Sequence, residues 1–167
     1  PDVFAAVGVM AGVALHASRD VASAFAAMHG TVEPADIAPV LARLPPPGAP
    51  GATFERMRAT IWTGAHDRTV DPSNARTLAT QFLRLLDVPE TNEYREKRAD
   101  SELVRWYDGE GRVRVETWLV RDMGHAWSGG SFRGSHTFPR GPRASDAMME
   151  FFLGASEEAS RPSLPAS

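Results

Sequence analysis

The chain has 167 residues, with Lys+Arg 18 against Asp+Glu 21, a net charge of −3, and 43% hydrophobic against 23% charged residues, the balance of a folded domain. That slightly acidic balance argues against a nucleic acid or an anionic membrane surface as partner, and no apolar run approaches the roughly 18 residues of a membrane span. The absence of cysteine excludes disulfides, cysteine-held metal centres and thiol nucleophiles, and leaves the compartment open.

The chain opens on Pro1-Asp2 and runs at once into the apolar stretch Phe4 to Met10, closed by Gly12. A short continuous apolar run of this kind reads as a strand buried on both faces of a parallel sheet. Natural termini are usually polar and frayed, so this opening reads as the interior of a longer polypeptide whose N-terminal part is missing. Asp20 to Met28 carries apolar residues at helical spacing, with Ser18 or Asp20 as N-cap and Gly30 as stop. Pro34, Pro39 and the Pro-rich run from Leu44 to Gly51 are expected to form a loop. Ala59 to Gly64 is a second buried-strand candidate. Asp71-Pro72 then starts a helix, with Asp71 at the cap and Pro72 at the first position, running to about Leu86 with Leu78, Phe82 and Leu85 along its apolar stripe.

Leu103 to Tyr107 and Val113 to Val120 flank Asp108-Gly109-Glu110-Gly111, a hairpin signal. After Val120 the chain passes through Met123-Gly124-His125 into a Gly/Ser-rich loop, and a last helix is expected from about Arg143 to Leu153, with Ala147, Met148, Phe151 and Phe152 available for packing. Residues 1–154 then form one unit and 155–167, rich in Ser, Glu, Ala and Pro, a disordered tail. Strands alternating with helices indicate the α/β class, a mostly parallel sheet flanked by helices.

Two loops that follow expected strands carry the candidate chemistry, since ligands and reactive groups in open α/β sheets gather at the carboxyl ends of strands. Asp67 lies in the first. Taken alone, it is explained as an Asx-turn bridging strand to helix. Asp71 is explained fully as a cap. His125 lies in the second loop, where Gly124 allows a tight approach and Gly129-Gly130 gives freedom. Taken alone, His125 is a histidine satisfied by backbone bonds. Together the two supply an acid and a base in the chain order of a nucleophilic triad. The nucleophile itself is not found: Ser131 is followed at the second position by Arg133 where a glycine is needed, and Ser128 is preceded at that distance by Ala126. Trp127 either walls a substrate pocket or packs; Trp62 belongs to the core; His66 is expected to be exposed, and His136 has no identifiable role.

Pro1 to Val9, Gly64-Ala65-His66-Asp67-Arg68-Thr69-Val70-Asp71-Pro72-Ser73-Asn74-Ala75, Gly109 to Val113 and above all Gly124-His125-Ala126-Trp127-Ser128-Gly129-Gly130 resemble the polyhydroxybutyrate depolymerase family of esterases. The resemblance covers most of the chain up to Leu153. It implies an α/β-hydrolase fold, a secreted enzyme without cofactor, hydrolysis of short-chain polyhydroxyalkanoates or related esters, Asp67 as triad acid and His125 as triad base. It departs in the acid loop, usually His-Gly-Asp-x-Asp and here Thr63-Gly64-Ala65-His66-Asp67. The family's Gly-x-Ser-x-Gly elbow lies upstream of the segment matching Pro1 to Met10, and its oxyanion loop further upstream still. The chain therefore resembles the C-terminal half of such an enzyme and is expected to be inactive alone, with an uncovered strand edge. Two alternatives stand beside this reading: a non-catalytic remnant that kept the pocket, and a metal-dependent hydrolase using His66, Asp67, His125 and His136, whose ligand types suit zinc but whose spacing does not.

Overall fold

The computed structural model describes residues 4–15, 17–30, 39, 42 and 57–154. In chain order the elements are β1 (Ala6–Met10), α1 (Val21–Met28), β2 (Arg58–Gly64), α2 (Ser73–Leu85), β3 (Glu93–Lys97), β4 (Ser101–Tyr107), β5 (Val113–Val120), β6 (Trp127–Ser128), β7 (Thr137–Phe138) and α3 (Ala144–Phe152). The expected Pro-rich loop lies almost wholly outside the described residues, as does the 155–167 tail. At Pro39 the backbone is helical rather than loop, a conformation proline accepts in a first helical turn.

Five strands form one sheet in the order β1-β2-β5-β4-β3. β1, β2 and β5 are mutually parallel, β4 runs against β5, and β3 runs against β4. Only β4 therefore opposes the common direction, and the fold is mixed α/β with helices on the sheet. Gly64 stands opposite Val120 at the end of the β2–β5 ladder. The Asp108–Gly111 turn folds β4 onto β5 as the sequence predicts. Gly111 takes φ 76°, the left-handed conformation that a residue with a Cβ adopts only at a cost.

Alternation along the strands sends two sets of side chains to opposite faces. Ile61, Val104, Trp106 and Val115 meet Leu78, Ala79, Leu83 and Leu86 of the α2 segment on one face. Trp62, Leu103, Trp118 and Val120 meet Ala144 and Met148 of α3 on the other. The α2 stripe is rotated from its expected line: Leu78 is buried, but Phe82 and Leu85 are only half-buried, and the deep positions run through Ala75, Ala79, Leu83 and Leu86. The small Ala75 and Ala79 let the helix approach the strands, so the side that carries them faces inward. β1 also differs from expectation. Its residues are half-buried and Gly8 is exposed, because among the described residues β1 is paired on one side only, to β2, at the edge of this sheet.

Three short strands are not foreseen in the sequence. β3, Glu-Tyr-Arg-Glu-Lys, is a charged edge strand held to β4 partly by the Arg95–Glu102 ion pair. β6 and β7 form a two-residue parallel bridge inside the Gly/Ser-rich loop.

The platform beneath the loops is stiffened by a buried polar row. Trp62 and Trp118 stack with ring centroids 4.4 Å apart across the β2–β5 ladder. Glu116, 1% exposed, accepts hydrogen bonds from Thr60 Oγ1 (2.9 Å), Trp118 Nε1 (3.0 Å) and Arg105 Nε (3.3 Å), while Trp62 Nε1 donates to Thr60 Oγ1 at 2.8 Å. A buried carboxylate is tolerated only with partners of this kind. No helix among the described residues is long and apolar enough to cross a membrane.

Candidate functional site

The β3–β4 hairpin lies outside β5, so β2 and β5 are neighbours although the hairpin separates them in sequence. Being parallel, they release their following loops at the same sheet edge. The loop after β2 is stitched to the loop after β5 by backbone: Ala65 N donates to Val120 O at 2.9 Å and His66 N to Met123 O at 2.9 Å. Met123 is fully buried and anchors the second loop in the core, and Asp122 makes the turn into it with φ 56°.

This arrangement brings Asp67 and His125 together. His125 Nδ1 lies 2.9 Å from Asp67 Oδ2, across 58 positions of sequence. The Asp67 side chain is 0% exposed and that of His125 is 40% exposed. The other oxygen, Oδ1, accepts from the backbone N–H groups of Thr69 (2.8 Å) and Val70 (2.9 Å). The Asx-turn expected of Asp67 is thus made by one oxygen, while the other faces the imidazole. Because an ionised carboxylate only accepts, Nδ1 carries the shared proton, and the neutral ring presents its lone pair at Nε2. That nitrogen has no hydrogen-bond partner among the described residues. A buried acid behind a half-exposed imidazole can orient the ring and compensate the charge it acquires when it takes a proton.

Asp71 serves structure, but from one position before the cap: the N-cap is Pro72 rather than Asp71, its ring already holding a helical φ of −56°, and it makes no side-chain cap bond. Asp71 Oδ1 accepts from Ser73 N at 2.9 Å and its carbonyl from Asn74 N at 3.0 Å, and α2 begins at Ser73. Hydrogen bonds from the hydroxyl and amide of Ser73 hold its carboxyl below the ordinary 3.8.

The tight approach expected at Gly124 is found elsewhere. A Cβ at Gly124 would meet only the carbonyl oxygen of His66, at an ordinary 3.8 Å. At Gly64 a Cβ would overlap the carbonyl oxygen of Met123 and lie 2.5 Å from that of Gly124. The reason is position: Gly64 is where the two loops cross, whereas Gly124 already lies past the crossing. In sequence Gly64 is only the last residue of the second strand candidate, and nothing local marks the contact.

Trp127 is 38% exposed, and its indole N–H donates to Ser145 Oγ of α3 at 3.2 Å. It lies outside the core, with part of its surface open two residues from His125. The hydroxyl of Ser128 is buried and donates to Pro142 O at 2.7 Å, and Ser131 Oγ accepts from Arg133 N at 3.2 Å. Trp62 is fully buried, as expected. His66 is exposed, and His136 lies on the surface with Nδ1 beside Ser135 Oγ. Among the described residues no three His, Asp or Glu side chains are grouped as a metal ion would need, so the geometry gives no footing to the metal reading of His66, Asp67, His125 and His136. A cleft of about 300 Å³ opens on the α2 face between α2 and the hairpin strands, walled by Ser73, Arg76, Arg95 and Trp106; neither Asp67 nor His125 lines it. Comparison with protein-family models and with curated proteins finds no match for this chain.

Proposed function

We propose that the chain carries the acid and the base of a serine-hydrolase site that cleaves ester bonds, in the C-terminal half of an α/β-hydrolase fold. The observation that carries this reading is the 2.9 Å bond from His125 Nδ1 to the buried Asp67 at the shared carboxyl edge of β2 and β5. The nucleophile is a serine on a Gly-x-Ser-x-Gly turn contributed by a part of the polypeptide outside this sequence, together with the oxyanion donors. His125 Nε2 takes the proton of that serine as its oxygen attacks the ester carbonyl, and Asp67 compensates the imidazolium that forms. The proton then passes to the departing alcohol. Water repeats the two transfers, releasing the acid and restoring the serine. Short-chain polyhydroxyalkanoates or related small esters are the substrate class, reached outside the cell, and the surface of Trp127 next to His125 suits an apolar acyl chain.

The test is to express the longest open reading frame containing this sequence and follow p-nitrophenyl butyrate hydrolysis and clearing of a short-chain polyester film. A fluorophosphonate probe is applied in parallel. Hydrolysis and labelling of a single serine are expected, with turnover reduced at least about a thousandfold by His125→Ala. Ligand binding with neither turnover nor labelling would instead establish a non-catalytic remnant. Full turnover in His125→Ala would overturn the assignment of the base.

A further inference from the structure

The bond between Asp67 and His125 spans two loops that belong to different strands, so something must fix how far apart those loops stand. Their backbones are joined at Ala65 N to Val120 O and His66 N to Met123 O, both at 2.9 Å. Immediately before these bonds the chain passes Gly64, which is buried. The space that a side chain would occupy there is filled by backbone of the His125 loop: the Met123 carbonyl oxygen overlaps a Cβ outright, and the Met123 carbonyl carbon and Gly124 carbonyl oxygen lie at 2.6 and 2.5 Å. Backbone cannot rotate aside as the end of a flexible side chain can. A single methyl group must therefore drive the two loops apart, and the Asp67 carboxylate, held to its own loop through Oδ1 by the Thr69 and Val70 amides, must carry Oδ2 away from Nδ1 of His125.

We infer that Gly64 is the positioning residue of the pair: the missing side chain at the loop crossing sets the Asp67–His125 distance, and Gly124, within the loop of His125 itself, does not. The bearing of this on ester cleavage rests on the function proposed above, whereas the distance can be tested without any turnover.

The experiment uses the chain as it stands, labelled uniformly with ¹⁵N. A proton shared between Nδ1 of His125 and a buried carboxylate gives a low-field resonance that exchanges slowly with water, assigned by its loss in His125→Gln. Gly124→Ala is expected to keep this resonance, because its methyl group has ordinary space. Gly64→Ala is expected to lose it while the β4–β5 amide resonances stay in place. Retention of the resonance in Gly64→Ala would overturn the inference, as would its loss in Gly124→Ala alone.

Should Gly64→Ala fail to fold, hydrogen exchange in the unsubstituted chain decides the matter. If the crossing at Gly64 locks the pair, the Nδ1 proton and the amides of Ala65 and His66 open together, with protection factors agreeing within about threefold. A Nδ1 proton exchanging a hundredfold faster than those amides would show the pair opening independently of the crossing, and the inference would fail. Failure of ester hydrolysis with these results intact would count against the proposed function alone.

Discussion

At Asp67 the two carboxylate oxygens face different partners, Oδ1 the amides of Thr69 and Val70 and Oδ2 the imidazole of His125, so substitution can separate loop structure from chemistry. Asn keeps an acceptor for the two amides, but turns a donor toward Nδ1 and favours the wrong ring tautomer. Asp67→Asn should therefore retain stability within about 1 kcal/mol in urea unfolding, since one neutral bond replaces a charge-assisted one. On the proposed function, the same variant should lower ester turnover of the longest expressed reading frame by about 10⁴-fold. Asp67→Ala leaves both amides without an acceptor and should cost about 3 kcal/mol as well as the activity. Undiminished turnover in Asp67→Asn would remove the acid from the proposed mechanism. The pair itself was readable from residue type, an Asp and a His each following a strand. Gly64 was not, because its importance lies in what passes beside it, a segment about 60 positions away that no local pattern reveals.

On the scale of elements, the β4–β5 hairpin was legible for a local reason: its turn is built by one residue from its own neighbours. Asp108 Oδ1 accepts from the amides of Glu110 and Arg112, both at 3.0 Å, and Oδ2 from Arg112 Nε (2.9 Å) and Arg114 Nη1 (3.2 Å). Desolvation alone would raise its pKa, but the bonds from Arg112, Arg114 and Glu110 together outweigh it and hold the carboxyl below the ordinary 3.8. A carboxyl lowered on folding binds fewer protons in the native than in the unfolded state, so it stabilises above the unfolded value and loses that contribution as the pH falls through the folded one. Asp108→Asn should thus cost about 2 kcal/mol at pH 7. The gap between the two stability curves should close as the pH drops below 3.8 toward 2. A gap that stays constant across that range would mean that the charge of Asp108 contributes nothing. β3, by contrast, was invisible in sequence. Glu-Tyr-Arg-Glu-Lys has no apolar alternation, and its strand conformation comes from β4 beside it and from cross-strand charge pairing. The rotation of the α2 stripe was equally hidden, since periodicity finds an apolar face but only the opposing strands decide which edge of it lies deepest.

For the whole molecule, the sheet order is the feature that brings the two loops together, and it also sets β1 at an edge among the described residues. Placing the hairpin at the far edge makes β2 and β5 neighbours and brings Asp67 to His125; the α/β class was readable, but this order was not. At the opposite edge β1 is paired, among the described residues, to β2 alone, and the large apolar side chains Phe4, Leu15, Val21 and Phe25 on the segments flanking it in sequence are more than half exposed. Val21 and Phe25 stand one turn apart on α1, on the side of the helix away from the fully buried Ala27. Exposed apolar surface of this kind lowers its free energy by association, whereas it adds nothing to the fold of the single chain. Replacing the two residues by Val21→Glu and Phe25→Lys converts that surface into an i,i+4 ion pair in the favourable orientation, with the acid in the first turn of the helix. Sedimentation velocity of the chain should show an average mass rising with concentration, and the double variant should remain monomeric over the same range. Thermal stability should change by no more than about 0.5 kcal/mol, the ordinary effect of surface substitution. A loss of several kcal/mol would show instead that α1 buries this face within its own chain, leaving nothing there for a second copy to cover.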